Sequence, residues 1–251
     1  MSAQSVDQNY YTGEKSEYVH QMFSGIAHKY DLLNNVLSFS THKVWRRRAV
    51  RLANLSVNDS ALDVCTGTGD FAVDLFHVVG KNGMVVASDF CRPMVEHGRT
   101  KMQSHGDGAI QMMLADAQKL PYKDNQFDAI TVGFGIRNVV DTQLAFNEMR
   151  RVAKPGGRVL CLEFNRPIGP LAPFVNFYQT QILPRIGAIL SNDKSYKYLP
   201  ESINAFHSRE TLTQMMQAAG LVDIQVVNMN FGSVCLHIGT KPFALKRDGS
   251  N

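Results

Sequence analysis

From Ala61 to Asp70 the chain reads Ala-Leu-Asp63-Val-Cys65-Thr-Gly67-Thr68-Gly69-Asp, an apolar run that feeds a glycine-rich turn. Two glycines so spaced let a backbone approach a ligand closely, although such turns also serve plain strand-to-helix packing. The residues that follow sharpen the reading. A second apolar run, Met84–Ser88, leads into Asp89, 22 residues after Gly67, where a carboxylate can accept from both hydroxyls of a ribose. A third run, Ile110–Leu114, is followed by Asp116 and Ala117. There the acid can accept from the amino group of a base while Ala117 offers its backbone amide; equally, Asp116 can cap the helical turn after it. Acids at three successive strand ends put a ligand at the carboxyl edge of a sheet.

The turn is wrong for a dinucleotide. It lacks the third glycine of GxGxxG and places Asp70 where a pyrophosphate should lie, which is repulsive. Asp63 and Asp70 would instead welcome a cation. S-adenosylmethionine, a nucleoside with a sulfonium, an ammonium and no phosphate, fits that arrangement. A nicotinamide-dependent oxidoreductase is disfavoured on the same ground, and the one Tyr-x-x-x-Lys, Tyr11 to Lys15, sits in a polar tail.

The elements that must position these residues follow from periodicity. Residues 14–54 are helical in pattern, with expected breaks near Ser24-Gly25 and Ser38–Thr41. Strands are expected at Ala61–Cys65, Met84–Ser88, Ile110–Leu114, Phe127–Val132 and Arg158–Phe164, and helices at Phe71–Val79 and from Asp141 to Ala153, stopped by Lys154-Pro155-Gly156-Gly157. Ser208 N-caps a last helix to Ala219. Two further strands, Asp223–Met229 and Cys235–Thr240, have no helical segment between them and read as an antiparallel hairpin at the sheet edge. Alternating strands and helices make an α/β fold with a mainly parallel sheet. Between them, residues 165–200 carry Pro167, Pro170, Pro173, Pro184 and Pro200 around an aromatic-rich stretch, too long for a simple link, and read as a lid.

Composition limits the classes. The 251 residues are 44% apolar and 19% charged, with a formal net charge of +4, so a full core can form and a dedicated nucleic-acid arm is excluded. The 4 cysteines show no CxxC pair, which argues against a metal site or a disulfide scaffold and fits a reducing cytoplasm. No apolar run is long enough to cross a bilayer, and the first residues have neither a secretory core nor an arginine-rich presequence pattern.

Two long segments carry a family resemblance. Tyr30-Asp31-Leu32-Leu33-Asn34-Asn35-Val36-Leu37-Ser38, followed by His42 and Trp45, resembles the first signature of the UbiE family of ubiquinone/menaquinone C-methyltransferases, with Leu33 where the family usually has Met. Arg151-Val152-Ala153-Lys154-Pro155-Gly156-Gly157-Arg158 through Asn165 resembles the second, and Phe134-Gly135-Ile136-Arg137-Asn138-Val139 is also typical. The resemblance implies a Rossmann-like class I methyltransferase fold: a mostly parallel seven-stranded sheet with an antiparallel edge hairpin, helices on both faces and an N-terminal helical extension. It implies S-adenosylmethionine at Thr68, Asp89, Asp116 and Ala117, beside Asp63, Gly67 and Gly69 of the turn. A further cofactor position falls on Gly133, where well-known members have Ser, so only the backbone can contribute there. The implied substrates are polyprenyl hydroquinones methylated on a ring carbon, demethylmenaquinol and 2-methoxy-6-polyprenyl-1,4-benzoquinol among them. The implied division is a tail and helical substrate cap over 1–54, the methyltransferase domain over 55–245 with the lid at about 165–207, and a tail over 246–251.

Ring methylation needs an ortho hydroxyl to lose its proton, hence a base or a phenolate-stabilising cation near the methyl. Arg137 can hold a phenolate, or pair with Asp141 or Glu148. His42 has a suitable pKa for the base, or caps and packs. Tyr30 either serves the pocket or fills core; Asp31 and Asn34 lie on the same capping segment. Glu163 ends the fifth strand and faces the cleft or a salt bridge. Phe174, Phe177, Tyr178, Ile182, Leu183 and Ile186 either line a tunnel for a prenyl tail or pack the lid. Residues 32–58 contain no acid, and Lys43, Arg47 and Arg51 form a basic stripe opposite Trp45, Ala49 and Leu52, which is a solvated face or a contact for anionic headgroups. Expected partners are therefore the quinol, a membrane surface on the cytoplasmic side and a homodimer or quinone-synthesis complex, without nucleic acid or metal. The rival is a catalytically silent scaffold of such a complex; intact Asp89 and Asp116 argue against it.

Overall fold

The computed structural model describes residues 14–104, 109–182 and 198–243. Three helices open it: α1 (Glu14–Ile26), then after a 3-10 turn α2 (Tyr30–Leu37), then α3 (Thr41–Leu52). The first break falls at Ala27–Lys29, beyond the expected Ser24-Gly25. Nothing lies within 4 Å of where a Cβ on Gly25 would stand, and its φ is not positive, so no contact or strain stops the helix there. The second break is where expected: Phe39 and Ser40 adopt left-handed backbone, with φ of 48° and 58°.

Five parallel strands follow: β1 (Ser60–Val64), β2 (Met84–Asp89), β3 (Ile110–Leu114), β4 (Phe127–Gly133) and β5 (Ala153–Phe164). They alternate with α4 (Asp70–Val79), α5 (Arg92–Ser104) and α6 (Thr142–Val152). After β5 come a short α7 (Ala172–Phe177) continued by a π turn to Ile182, then α8 (Tyr198–Ala205), α9 (Arg209–Ala218), β6 (Val222–Met229) and β7 (Val234–Thr240). The sheet order is β3-β2-β1-β4-β5-β7-β6, and β7 runs antiparallel to both its neighbours. The order reverses between β1 and β4, which opens a crevice at their carboxyl ends.

Asp141 and Ser208 cap α6 and α9 as expected, accepting from the amides of Leu144 and Thr211. The Lys154–Gly157 breaker behaves differently. It ends α6, but the chain runs straight on as strand, so β5 begins at Ala153 and not at Arg158. A register shift against β4 between Phe127 and Ala129, together with Gly156 at φ 79°, absorbs the irregularity.

Both sheet faces are covered. Trp45, Ala49, Phe71, Leu75 and Met102 from α3, α4 and α5 pack on Ala61, Val85, Ala129 and Leu160. On the other face Phe146, Met149, Leu212 and Met216 from α6 and α9 pack on Leu62, Val86, Ile130 and Val159. Alternate residues of one strand thus serve opposite layers. The N-terminal extension belongs to the first layer through Trp45 and Ala49, which leaves α2 and the start of α3 at the strand ends.

Candidate active site

Two adjoining cavities occupy the carboxyl edge of the sheet. The smaller, about 80 Å³, is lined by Gly67, Asp89, Asp116, Ala117, Phe90 and Val139, among others. The larger, about 620 Å³, reaches from Asp63, Thr68 and Gly133 out to Trp45, Phe134 and Phe174. Tyr30, Phe23 and Phe134 line both and form the wall between them.

The small cavity is built on Asp89. Its carboxylate is buried and accepts from the amides of Gly67 (2.8 Å) and Cys91 (2.9 Å), one to each oxygen, so the group is held rigidly with a lone pair left on each oxygen. Burial pushes its pKa up against those amide bonds. Gly67 has φ 59°, and a Cβ there would stand 3.4 Å from the Tyr30 ring, which packs directly on the turn. Asp116 accepts from the amide of Gln118 (2.9 Å), so it does cap the following turn, and it lines the cavity with buried Ala117 as well. At Gly133 a Cβ would meet Phe71 Cδ1 at 2.8 Å; the ring fills the space a serine would need, which accounts for glycine and leaves only backbone to contribute.

Asp63, next to the end of β1, sits inside a hydroxyl clamp. Thr66 Oγ1 donates at 2.5 Å and Thr131 Oγ1 at 2.6 Å. Thr131 is its cross-strand partner on β4. Burial outweighs both bonds and raises Asp63 to about 7. Asp70 does not present the open negative charge the turn suggested. Burial raises it, but Arg46 and Lys101 outweigh that and hold it below the usual range. Arg46 pairs with Asp70 (3.2 Å) and Asp74 (3.1 Å), and Lys101 bonds Asp70 and Asp31 (2.6 Å to the latter). Asp31 also accepts from Thr68 Oγ1 (2.6 Å). Asp31 is therefore tied to the turn and does not line the large cavity, unlike the expectation that placed it on substrate.

The large cavity holds the candidate chemistry. Arg137 lines it, yet pairs with neither Asp141 nor Glu148, which cap α6 and bind Arg151. Its Nη1 meets Glu163 Oε1 at 2.7 Å and the Phe134 carbonyl, and its guanidinium lies 5.5 Å from the centre of the Phe164 ring. Glu163 is sealed behind it at 1% exposure, raised by burial despite Arg137, so it holds the arginine and does not reach the cavity itself. Tyr30 is raised by burial, against a hydrogen bond with Asn34, so its phenol stays protonated and can donate but not serve as base. Burial and Arg46 lower His42 to about 4, which makes it neutral and a weak base at physiological pH. Asn34, Phe174 and Tyr178 line the same cavity. Phe177 and Ile182 are exposed, and Leu183 and Ile186 lie outside the described residues. Among the described residues no cluster of His, Cys, Asp or Glu could hold a metal ion.

The residues fit S-adenosylmethionine. Asp89 would hold the ribose, Asp116 and Ala117 the base, and the Asp63–Thr68 turn the amino-acid end. Lys101, Thr66 and Thr131 were missed by sequence reasoning. Thr131 had a signal, a polar residue within an apolar strand; Lys101 had none, because its partners are 31 and 70 residues away.

The sheet order, with Asp89 and Asp116 on a chamber at its switch point, is that of the class I S-adenosylmethionine-dependent methyltransferases. Solved structures share the fold. A SAM-dependent methyltransferase from Aquifex aeolicus superposes with a TM-score of 0.58 at 21% identity, over 78% of this chain and 88% of that one. The [4+2]-cyclase SpnF superposes with a TM-score of 0.66 at 16% identity, over 91% and 97%. Sequence carries the assignment further: the chain belongs to the ubiE/COQ5 methyltransferase family, which it matches over residues 11–241. The ubiquinone/menaquinone biosynthesis C-methyltransferase UbiE of Proteus mirabilis is 42% identical over 241 residues, 95% of this chain and 94% of that protein.

One pH effect follows from Asp63. A cationic ligand favours its ionised form, so binding should expel the proton that the free protein holds near pH 7. S-adenosylmethionine affinity should therefore rise between about pH 6 and 7.5 and then level. Calorimetry in buffers of different ionisation enthalpy should show proton release that Asp63→Asn abolishes. Proton uptake, or an unchanged pH profile in the variant, would exclude Asp63 as the source.

Proposed function

We propose that this enzyme transfers a methyl group from S-adenosylmethionine to a ring carbon of a polyprenyl hydroquinone, demethylmenaquinol or 2-methoxy-6-polyprenyl-1,4-benzoquinol, in respiratory quinone biosynthesis. The observation that carries the reading is the 620 Å³ cavity, walled by Trp45, Phe134, Phe164, Phe174 and Tyr178, that shares a wall with the chamber at Asp89. An aromatic-walled space of that size suits a ring with an apolar tail far better than a phosphate backbone.

When bound, S-adenosylmethionine supplies an electrophilic methyl on sulfur. The chain must orient the quinol and raise electron density at the carbon ortho to a hydroxyl. Arg137 faces the cavity with its charge fixed by Glu163 and Phe164, and stabilises the phenolate as it forms. Tyr30 donates from the wall between the chambers. The α2–α3 segment and the residues Leu171, Phe174, Val175 and Tyr178 flank the ring as lining of the cavity. Cells lacking the protein should accumulate a demethylated quinone, and that compound identifies the substrate. An unaltered quinone pool would refute the reading.

We place the membrane contact at the cavity rim. Phe39, Phe174 and Phe231 line the cavity while remaining exposed, and Arg47, Arg48 and Arg51 are exposed on α3 nearby in sequence, with Lys43 half-buried. Among the described residues no helix is long and apolar enough to cross a membrane, so attachment would be peripheral. Each headgroup contact adds up to about 1 kcal/mol and is screened by salt. Binding to anionic vesicles should weaken with salt and with joint replacement of Lys43, Arg47 and Arg51 by Gln. Cosedimentation indifferent to both leaves the aromatic rim alone as the contact.

A further inference from the structure

Asn34, Ser38 and His42 stand one helical turn apart across the α2–α3 junction, and all three line the large cavity. Ser38 Oγ lies 2.7 Å from the Asn34 carbonyl oxygen and 2.5 Å from His42 Nδ1. A hydroxyl has one proton to give, and a carbonyl can only accept. Ser38 therefore donates to Asn34 and accepts from His42, so the imidazole hydrogen sits on Nδ1. In a neutral ring the other nitrogen is then a bare lone pair. The ring is neutral, because burial and Arg46 hold it to about 4, with Lys43 acting the same way and Asp70 and Asp31 opposing. Nε2 has no hydrogen-bond partner among the described residues, and it is not among the buried polar atoms shut off without one. It is an unpartnered acceptor on a residue that lines the cavity.

The two redox forms of the substrate differ in just this respect. A hydroquinone presents hydroxyls, which donate; the oxidised ring presents carbonyls, which only accept. Arg137 does not separate the two neutral rings, since a guanidinium donates to a hydroxyl oxygen and a carbonyl oxygen alike. We propose that His42, held in one tautomer by Ser38, is the specificity residue that admits the reduced ring and rejects the oxidised one. A hydroquinone hydroxyl donates to Nε2, whereas a quinone oxygen there sets lone pair against lone pair and leaves the nitrogen unpaired. Sites that require a hydrogen bond reject analogues that cannot make it far more strongly than sites that read shape alone. This rests on the quinol reading above and names the residue behind its redox preference.

The test is a binding titration of the full chain saturated with S-adenosylhomocysteine, using a short-tailed demethylmenaquinol under reductant and the same compound oxidised. The wild-type protein should bind the reduced form at least about tenfold more tightly. His42→Phe should lose that preference through weaker quinol binding, with S-adenosylmethionine affinity unchanged as the measure of an intact fold. His42→Gln, which keeps an acceptor, should retain part of it. Ser38→Ala, which frees the tautomer while leaving the ring, should lower the preference several-fold and serves if His42→Phe does not fold. A folded His42→Phe protein that keeps the full preference would overturn the proposal. So would a wild-type protein that methylates the quinol yet binds both forms equally, and in that case the quinol reading stands. A wild-type protein that neither binds nor methylates the quinol overturns both.

Discussion

Replacing Asp89 by Ala is expected to weaken S-adenosylmethionine binding by about 2–4 kcal/mol, roughly 30- to 1,000-fold, from the loss of two charge-assisted hydrogen bonds. The carboxylate is already oriented before any ligand arrives. The Gly67 and Cys91 amides hold one oxygen each, so little ordering remains to be done on binding. The Gly67 amide it frees lines the chamber, where water can replace the carboxylate, which limits the cost to the fold. Titration calorimetry showing unchanged affinity would remove Asp89 from the ribose and the small chamber from the cofactor.

Replacing Arg137 by Met should cost more, and in two separable ways. Glu163 is buried and paired with this guanidinium at 2.7 Å, so removing one partner strands a carboxyl in the core at a cost of about 3–5 kcal/mol in stability. The phenolate loses its cation as well, and kcat should fall on the order of 100- to 1,000-fold. Adding Glu163→Gln removes the stranded charge. The double variant should recover most of the stability by denaturant titration and none of the turnover. Recovery of turnover along with stability would mean that Arg137 acts only as a structural partner of Glu163.

The parts that sequence made legible were those encoded locally. The turn at Gly67-Thr68-Gly69 and the strand-end acids Asp89 and Asp116 announce themselves by spacing, and the structure gathers Gly67, Asp89 and Asp116 on one chamber. Asp141 and Ser208 cap helices as their types suggest, because a cap is a contact within four residues. What escaped depends on tertiary contact. Asp70 reads as an anionic lure until Arg46 and Lys101, from α3 and α5, neutralise it. Asp31 reads as a substrate ligand until Thr68 and Lys101 claim its two oxygens. Glu163 sits at the end of its strand as expected, but strand alternation cannot show that Arg137 stands between it and the cavity. The helix break beyond Gly25 is a smaller case: glycine permits a stop, and only a local contact or strain enforces one.

The most direct measurement follows a labelled methyl group. Purified protein is incubated with methyl-labelled S-adenosylmethionine and a short-tailed demethylmenaquinol, once with the ring kept reduced and once with it oxidised. The account predicts label on a ring carbon with the reduced substrate and almost none with the oxidised, because only the hydroxyl can lose a proton and push density onto the ortho carbon. Label on oxygen, equal transfer to both redox forms, or no transfer to the reduced ring would contradict it.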